Sequence, residues 1–279
     1  RPAKKALFQS YGVVCAVPVC YPRQMATPGT LIIHDLSTAR PLPPGGPAMA
    51  IWHLLGRAFL ALGGWQVRGD WPADPKSVVI AAPHTSNWDG IWMIAAAAAA
   101  EDAFGTVDIL INNAGMPDAQ RAHKMSLDLI DKVLGVNLRG PWILSCEVAR
   151  RLIAAGKPGR MVNISSVAHF RYDGSGAALY AVTKTAIARM TEALAVEWAH
   201  YNINVNAIAP GPFVTNIGDG WAKKDPAVKA AFDATIPLGG MAETYQMKPL
   251  ALYLASDASS FMTGAHVVID GGVQLGNFK

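Results

Sequence analysis

From residue 107 onward, four short runs of apolar and largely β-branched residues recur along the chain: Val107–Ile111, Arg160–Ile164, Ile203–Ile208 and His266–Ile269. Each has the length of a strand and is apolar at most positions instead of alternating with polar ones. Between them lie Ser126–Asn137, Pro141–Ala155, Leu179–Tyr201 and Tyr245–Ser256, where apolar side chains return at the helical period. Strands apolar on both sides need cover on both faces, and amphipathic helices in the crossovers supply it. The pattern predicts an α/β fold with a doubly wound, Rossmann-like parallel sheet and a ligand at the carboxyl ends of its strands.

Upstream the pattern changes twice. Residues 1–48 are rich in proline, hold one acidic residue (Asp35) and show no sustained period. The run Pro41-Leu-Pro-Pro-Gly-Gly-Pro47 reads as a linker, and this extension is expected to be poorly ordered. The chain opens on Arg1, and Met49 stands where an independent chain would naturally begin. Residues 49–100 are apolar again: a helix over Met49–Trp65, a buried strand over Ser77–Ala82, and a helix over Ile91–Ala100. Five of the eight tryptophans fall between Trp52 and Trp92. Tryptophan favours boundaries between apolar and wet surroundings, so contact of residues 49–92 with a membrane surface and plain core packing are both compatible with this stretch.

Composition narrows the classes. With 279 residues, 51% of them hydrophobic, the chain can bury a substantial core. A net charge of +4 without a block of like charges argues against nucleic acid as a partner, which would require a clustered basic face. Cys15, Cys20 and Cys146 form no even framework and no Cys-x-x-Cys pair; free thiols in a reducing compartment are expected, and no metal site. No apolar run reaches the ~20 residues of a membrane-spanning helix. A cytoplasmic protein is the expectation.

The chemistry-bearing residues follow the strands in order. Asn112-Asn113-Ala114-Gly115 follows the first run, Asn137 ends the next helix, and Ser165-Ser166 follows the second run. Tyr180-x-x-x-Lys184 lies in the long third helix, and Pro210-Gly211 with Thr215 follows the third run. Tyr and Lys four apart share a helix face. There an ammonium can lower the phenol pKa from ~10 and make Tyr180 a proton donor and acceptor near neutrality.

From about Phe104 to the C-terminus the chain closely resembles the short-chain dehydrogenase/reductase family, through FGTVDILINNAG, GVNLRG, MVNISSVA, YAVTK, INVNAIAPGPFVTN, LASDASSFMTG and VVIDGG. The resemblance implies interconversion of a carbonyl and an alcohol with NAD or NADP as the hydride carrier. It makes Tyr180 the general acid/base, and Lys184 the group that lowers its pKa and holds the nicotinamide ribose. Ser166 would polarise the substrate oxygen, and Asn137 would hold a water linking Lys184 to solvent. Ser166 stands one residue further from Tyr180 than is usual in the family, which leaves Ser165 the less suitable choice. Asn112, Ala114 and Gly115 would line the adenosine half of the cofactor site, with Gly115 allowing close backbone approach. Pro210 and Gly211 would shape the loop over the nicotinamide, and Thr215 would bond its carboxamide. Substrate choice would fall to His169–Ala178 and Phe213–Gly240, with His169, Phe170, Arg171, Tyr172 and Trp221 as candidates. A homo-oligomer built on Pro141–Ala155 and Leu179–Tyr201 is also implied.

The resemblance has a gap. The family's first strand and Thr-Gly-x-x-x-Gly-x-Gly turn, which offers backbone amides to the pyrophosphate, has no match upstream of Asn112, so the amino-terminal half of the fold is atypical and incomplete. The residue that separates NAD from NADP has no match either. In its place VVIAAPHTSNWDG resembles the glycerophosphate (lysophospholipid) acyltransferases over about residues 49–95, with His84 as base and Asp89 orienting it. That family's later phosphate-binding block is absent. The chain reads as a chimera: an extension (1–48), an acyltransferase-like fragment (49–100) and a dehydrogenase-like catalytic region (101–279). Acyl transfer by His84 and Asp89, or no catalysis at all, are the alternatives. Ser77–Ala82, the helix after it and Val107–Ile111 form a strand–helix–strand unit that can stand in for the missing pair.

Overall fold

The computed structural model describes residues 106–276 except 119, 173, 175 and 216–224, together with the backbone of three short upstream strands. Two of these, β1 (Thr30–Leu31) and β2 (Gln66–Val67), pair in parallel. β1 falls in the stretch expected to be poorly ordered; it opens the run Thr30-Leu-Ile-Ile, whose β-branched character a count of prolines overlooks. The third, β3 (Val78–Ile80), lies inside the predicted strand Ser77–Ala82. The helices expected over Met49–Trp65 and Ile91–Ala100, and His84, Asp89, Cys15 and Cys20, lie outside the described residues.

β3 is the first strand of the main sheet. Next come β4 (Ile109–Asn112), β5 (Gly159–Ile164), β6 (Ile203–Pro210) and β9 (His266–Ile269), the last numbered after a minor parallel pair, β7 (Phe213–Val214) and β8 (Ala242–Glu243). The main sheet has the order β3-β4-β5-β6-β9 and every pairing is parallel. This is the Rossmann-like α/β architecture the apolar strands predict. Among the described strands the order advances without reversing, so the switch that defines double winding does not fall among them. Val78–Ile80 pairs residue for residue with Ile109–Ile111, so the upstream strand does stand beside β4.

The helices lie close to their predicted spans. Ser126 caps α1 (Leu127–Leu134) by accepting from Leu129 N at 3.2 Å. The chain does not then break between two helices: α1 runs through a π turn, Gly135–Arg139, directly into α2 (Gly140–Ala155). Pro141 stands just after the π turn, where the regular i→i−4 ladder is already interrupted. α3 (Ala178–Trp198) is the long helix of the Tyr–Lys pair. α4 (Pro226–Asp233) opens on the Asp225 cap with Pro226 in its first turn, a helix-start signal that lies inside the stretch Phe213–Gly240 read only for substrate contact. α5 (Lys248–Ala255) follows a 3₁₀ turn, Thr244–Gln246.

Alternate residues of each strand feed two cores. Leu110, Met161, Ile203 and Val205 pack with Leu144, Val148 and Leu152 of α2 and with Ile187, Leu194 and Trp198 of α3. Ile109, Ile111, Val162 and Ile208 pack with Leu254 of α5. No helix among the described residues is long and apolar enough to cross a membrane.

Candidate active site

The polar residues collect where β4, β5 and β6 end. β5 delivers Ser165 and Ser166 beyond its last residue, and they diverge. Ser165 is buried; its hydroxyl donates to the Lys184 carbonyl at 2.9 Å and lies 3.0 Å from His169 Nδ1. Because the serine proton is spent on the carbonyl, the imidazole is the donor in the second bond. Ser166 starts a 3₁₀ turn, accepts from Ala168 N at 3.1 Å, and lies near enough to the Tyr180 phenol to pull its pKa down. Of the two serines, the structure brings Ser166 to the tyrosine.

Tyr180 and Lys184 share one face of α3 as their spacing requires. Tyr180 keeps part of its surface open, whereas Lys184 is 3% exposed. The Lys184 Nζ donates to the Ile164 carbonyl at 2.7 Å and lies 5.6 Å from the centre of the Tyr180 ring. Here the electrostatic expectation is corrected. Burial pushes the phenol above its ordinary value, with the Ser166 hydrogen bond pulling the other way; the lysine is not what lowers it. Burial also pushes the Lys184 ammonium down to about 8. With one backbone acceptor and little solvent, the ammonium is itself undercompensated.

Asn137 lies in the π turn, a place where helices often serve a site. Its amide clamps the segment after β4: Nδ2 donates to Met116 O at 2.9 Å, and Oδ1 accepts from Met116 N at 2.8 Å. Nδ2 also donates to Thr183 Oγ1 at 3.2 Å. Both amide protons are thus spent on the protein, while Oδ1 keeps one acceptor site.

The proposed cofactor residues separate into two groups. Ala114 and Gly115 remain partly open, and a Cβ on Gly115 would come 3.4 Å from Lys184 Nζ and 3.8 Å from Asn137 Oδ1. Glycine there keeps a space beside the ammonium. Ile164 takes one of the three ammonium protons, leaving donors for hydroxyls of a nicotinamide ribose. The nicotinamide half of a dinucleotide therefore fits the residues present. Asn112 is different: its Nδ2 donates to Ser145 Oγ (2.9 Å) and Asn163 Oδ1 (2.7 Å) inside the fold. Gly211 is glycine for a packing reason, since a Cβ would sit 2.7 Å from Asp270 Cα. Pro210 ends β6 and Thr215 follows β7, both partly open.

The substrate-side candidates are also sorted. His169 stacks on Phe170 at 3.7 Å between ring centres and meets His266 edge-on at 5.3 Å, so it is tied to the protein. Phe170, Arg171 and Tyr172 are exposed, Tyr172 accepting from Gly176 N at 3.0 Å; Trp221 lies outside the described residues. Two groups escaped the sequence reading. Asp118, buried, accepts from Leu179 N (2.8 Å) and Tyr180 N (3.3 Å). Asn163 donates to Thr191 Oγ1 at 2.9 Å and joins Asn112 and Ser145 in one buried network. The available signal was an asparagine inside an otherwise apolar strand. Among the described residues no three His, Cys, Asp or Glu gather as a metal site.

A parallel sheet whose carboxyl ends meet Ser166 after β5 and Tyr180 and Lys184 on α3 is the arrangement of a dinucleotide-dependent oxidoreductase. The profile of the enoyl-(acyl carrier protein) reductases matches residues 93–274. The chain belongs to this family of short-chain dehydrogenases/reductases, a class that uses NAD or NADP. It is similar to oxidoreductase UcpA of Escherichia coli O157:H7, 39% identical over 63% of this chain and 68% of that protein. It is also similar to the NAD-dependent glycerol dehydrogenase of Listeria innocua, 37% identical over 61% of this chain and 65% of that protein. Among solved structures, a gluconate 5-dehydrogenase from Burkholderia cenocepacia in complex with NADP and tartrate gives a TM-score of 0.64 at 25% identity, covering 89% of this chain and 95% of that one. The chain spans about two thirds of the length of the curated relatives it matches.

Proposed function

We propose that the chain interconverts a carbonyl and a secondary alcohol, with Tyr180 moving the proton. The observation that carries this is the shared helix face of Tyr180 and a buried Lys184 with donors to spare, its Nζ 5.6 Å from the Tyr180 ring centre, with Ser166 beside the phenol. A bound nicotinamide cofactor supplies or accepts the hydride. Lys184 and the space left by Gly115 would hold its ribose, and Pro210 and Thr215 would border its nicotinamide end, with Gly211 shaping the loop between them through its packing on Asp270.

The protein's own part is proton transfer and charge stabilisation. In reduction Tyr180 gives its phenolic proton to the carbonyl oxygen while Ser166 donates to the same oxygen as negative charge develops there. In oxidation the tyrosine oxygen takes the hydroxyl proton. A phenol pushed upward by burial is scarcely ionised near neutrality, so that direction would rely on the Lys184 ammonium beside the ring, whose charge favours the phenolate. The Asn137 amide protons are spent on Met116 and Thr183, so a relay water near Lys184 would use the acceptor site that remains on Asn137 Oδ1. Relatives named for glycerol and gluconate support small polyhydroxylated substrates.

We assign residues 101–279 as the catalytic region, with residues 49–100 contributing β3. Trp142 on α2 and Val182 and Val196 on α3 are exposed apolar residues that support pairing of these helices between two copies of the chain. No observation on the described residues favours acyl transfer by His84 and Asp89.

Titration with NADH and NADPH, read by nicotinamide fluorescence, is the first test. Binding of one of them at about micromolar concentration is expected, and light scattering of the same sample should show more than a monomer. Tyr180→Phe should then lower turnover about 10²- to 10⁴-fold with cofactor binding kept. No binding at about millimolar cofactor would overturn the reading and leave a fold without catalysis; comparable turnover in Tyr180→Phe would remove the assigned role.

A further inference from the structure

The helix that carries Tyr180 and Lys184 has no cap of its own. Its N-cap position is Ala177, whose side chain offers no acceptor, although the first backbone N–H groups of a helix lack partners inside it. The missing acceptor comes from 61 residues upstream. The Asp118 carboxylate receives Leu179 N at 2.8 Å and Tyr180 N at 3.3 Å, and it is 2% exposed. The second of these amides belongs to the proton-transfer residue itself. The other carboxylate oxygen, Oδ1, is buried and has no partner among the described residues.

We propose that Asp118 is a positioning residue for Tyr180, locking the first turn of α3 to the segment that follows β4. Helix stability alone does not call for this arrangement, because a Ser, Thr or Asp at 177 would cap α3 locally at no cost in burial. Burying a carboxylate and leaving one oxygen bare costs stability. In return Asp118 couples two parts of the site that are distant in sequence. Two residues before it, Met116 is clamped by Asn137, and Asn137 bonds Thr183 one turn beyond Tyr180. Three residues after it, Arg121 donates to the Gly174 carbonyl at 2.9 Å, in the loop between Ser166 and Tyr180. The segment Gly115–Arg121 thereby holds the Tyr180 turn from both ends, with Asp118 contacting its backbone directly. A displacement of about 1 Å at a reacting group can cost 10²-fold in rate, so the position of this turn bears on turnover more than on affinity.

This inference rests on the dehydrogenase reading, and the experiment separates the two. Asp118→Ala and Asp118→Asn are compared with the native chain for kcat, cofactor affinity and amide hydrogen exchange over residues 177–184. Asp118→Ala should lower kcat about 10- to 100-fold and speed exchange at Leu179 and Tyr180, with cofactor affinity within about 2-fold. Asp118→Asn, which keeps an acceptor oxygen at the same place, should recover most of the rate. Unchanged kcat in Asp118→Ala, or faster exchange without loss of rate, overturns the proposal while the dehydrogenase reading stands. A kcat loss accompanied by an equal loss of cofactor affinity also overturns it, as would failure of Asp118→Asn to recover the rate. A native chain that binds neither nicotinamide cofactor sinks both.

Discussion

The two faces of the main sheet solve the same packing problem by different means. On the face of α2 and α3, apolar side chains share the interior with a chain of hydrogen bonds: Ser145, Asn112, Asn163 and Thr191, the last of which donates to the Ile187 carbonyl at 2.8 Å. On the face of α5, the contact between sheet and helix is apolar, with Ile109, Ile111, Val162, Ile208 and Leu254 at its centre. There Asn204 and Asn206 serve only the loop before β9, donating to the Ser260 and Met262 carbonyls. The difference follows the chemistry. α3 carries Tyr180 and Lys184 and must keep one registration against β4 and β5, and directional bonds specify a registration that dispersion contacts alone leave adjustable. α5 carries none of the assigned proton-transfer residues, so it needs only volume and apolarity.

That contrast can be broken by shape-conserving exchange. Asn163→Leu should cost about 2–4 kcal/mol, because it leaves the Asn112 amide and the Thr191 hydroxyl short of partners in the interior. Leu254→Met, an exchange of similar conservatism on the other face, should cost less than about 1.5 kcal/mol. Equal losses in chemical denaturation would show that the network is mere filling.

A second test sharpens the electrostatic side. The folded Lys184 pKa is about 8, against an ordinary 10.5, so the unfolded chain binds more protons between these values. Stability of the native chain relative to Lys184→Met should therefore rise with pH across pH 8–10.5, by up to about 3 kcal/mol. Below pH 8 the buried charge carries its full penalty, and above 10.5 both states are neutral. A flat difference would mean that the ammonium is better solvated than its burial implies.

The third concerns Gly211, at the carboxyl end of the sheet where both faces meet. Gly211→Ala drives a methyl group into the backbone at Asp270 and should cost about 1–3 kcal/mol with cofactor affinity little changed. The opposite result, full stability with lost affinity, would make this glycine a ligand-facing residue.

Much of this was legible along the chain. His266–Ile269 matches its strand without adjustment, and α2 and α3 start within a residue of their predicted positions, because apolar periodicity and strand burial are local properties of sequence. The shared face of Tyr180 and Lys184 was readable for the same reason. What could not be read depends on contacts between distant segments. The choice of Ser166 over Ser165 was made by spacing, but that Ser165 is spent on the Lys184 carbonyl appears only when β5 meets α3. Asn112 and Gly211, which resemblance places at the cofactor, turn out to be engaged in packing as well.

The sequence by itself determined the main-sheet strands, the helices that cross between them, their alternation and the residues chemically able to transfer a proton, since these follow from periodicity and side-chain chemistry within short windows. Tertiary structure alone decided where charge is tolerated and who holds whom. Desolvation sets the Lys184 pKa, and burial rather than the neighbouring ammonium governs the Tyr180 phenol. A carboxylate 61 residues away caps the helix of Tyr180 and Lys184. Burial and long-range hydrogen bonds are properties of the assembled chain, and no local pattern encodes them.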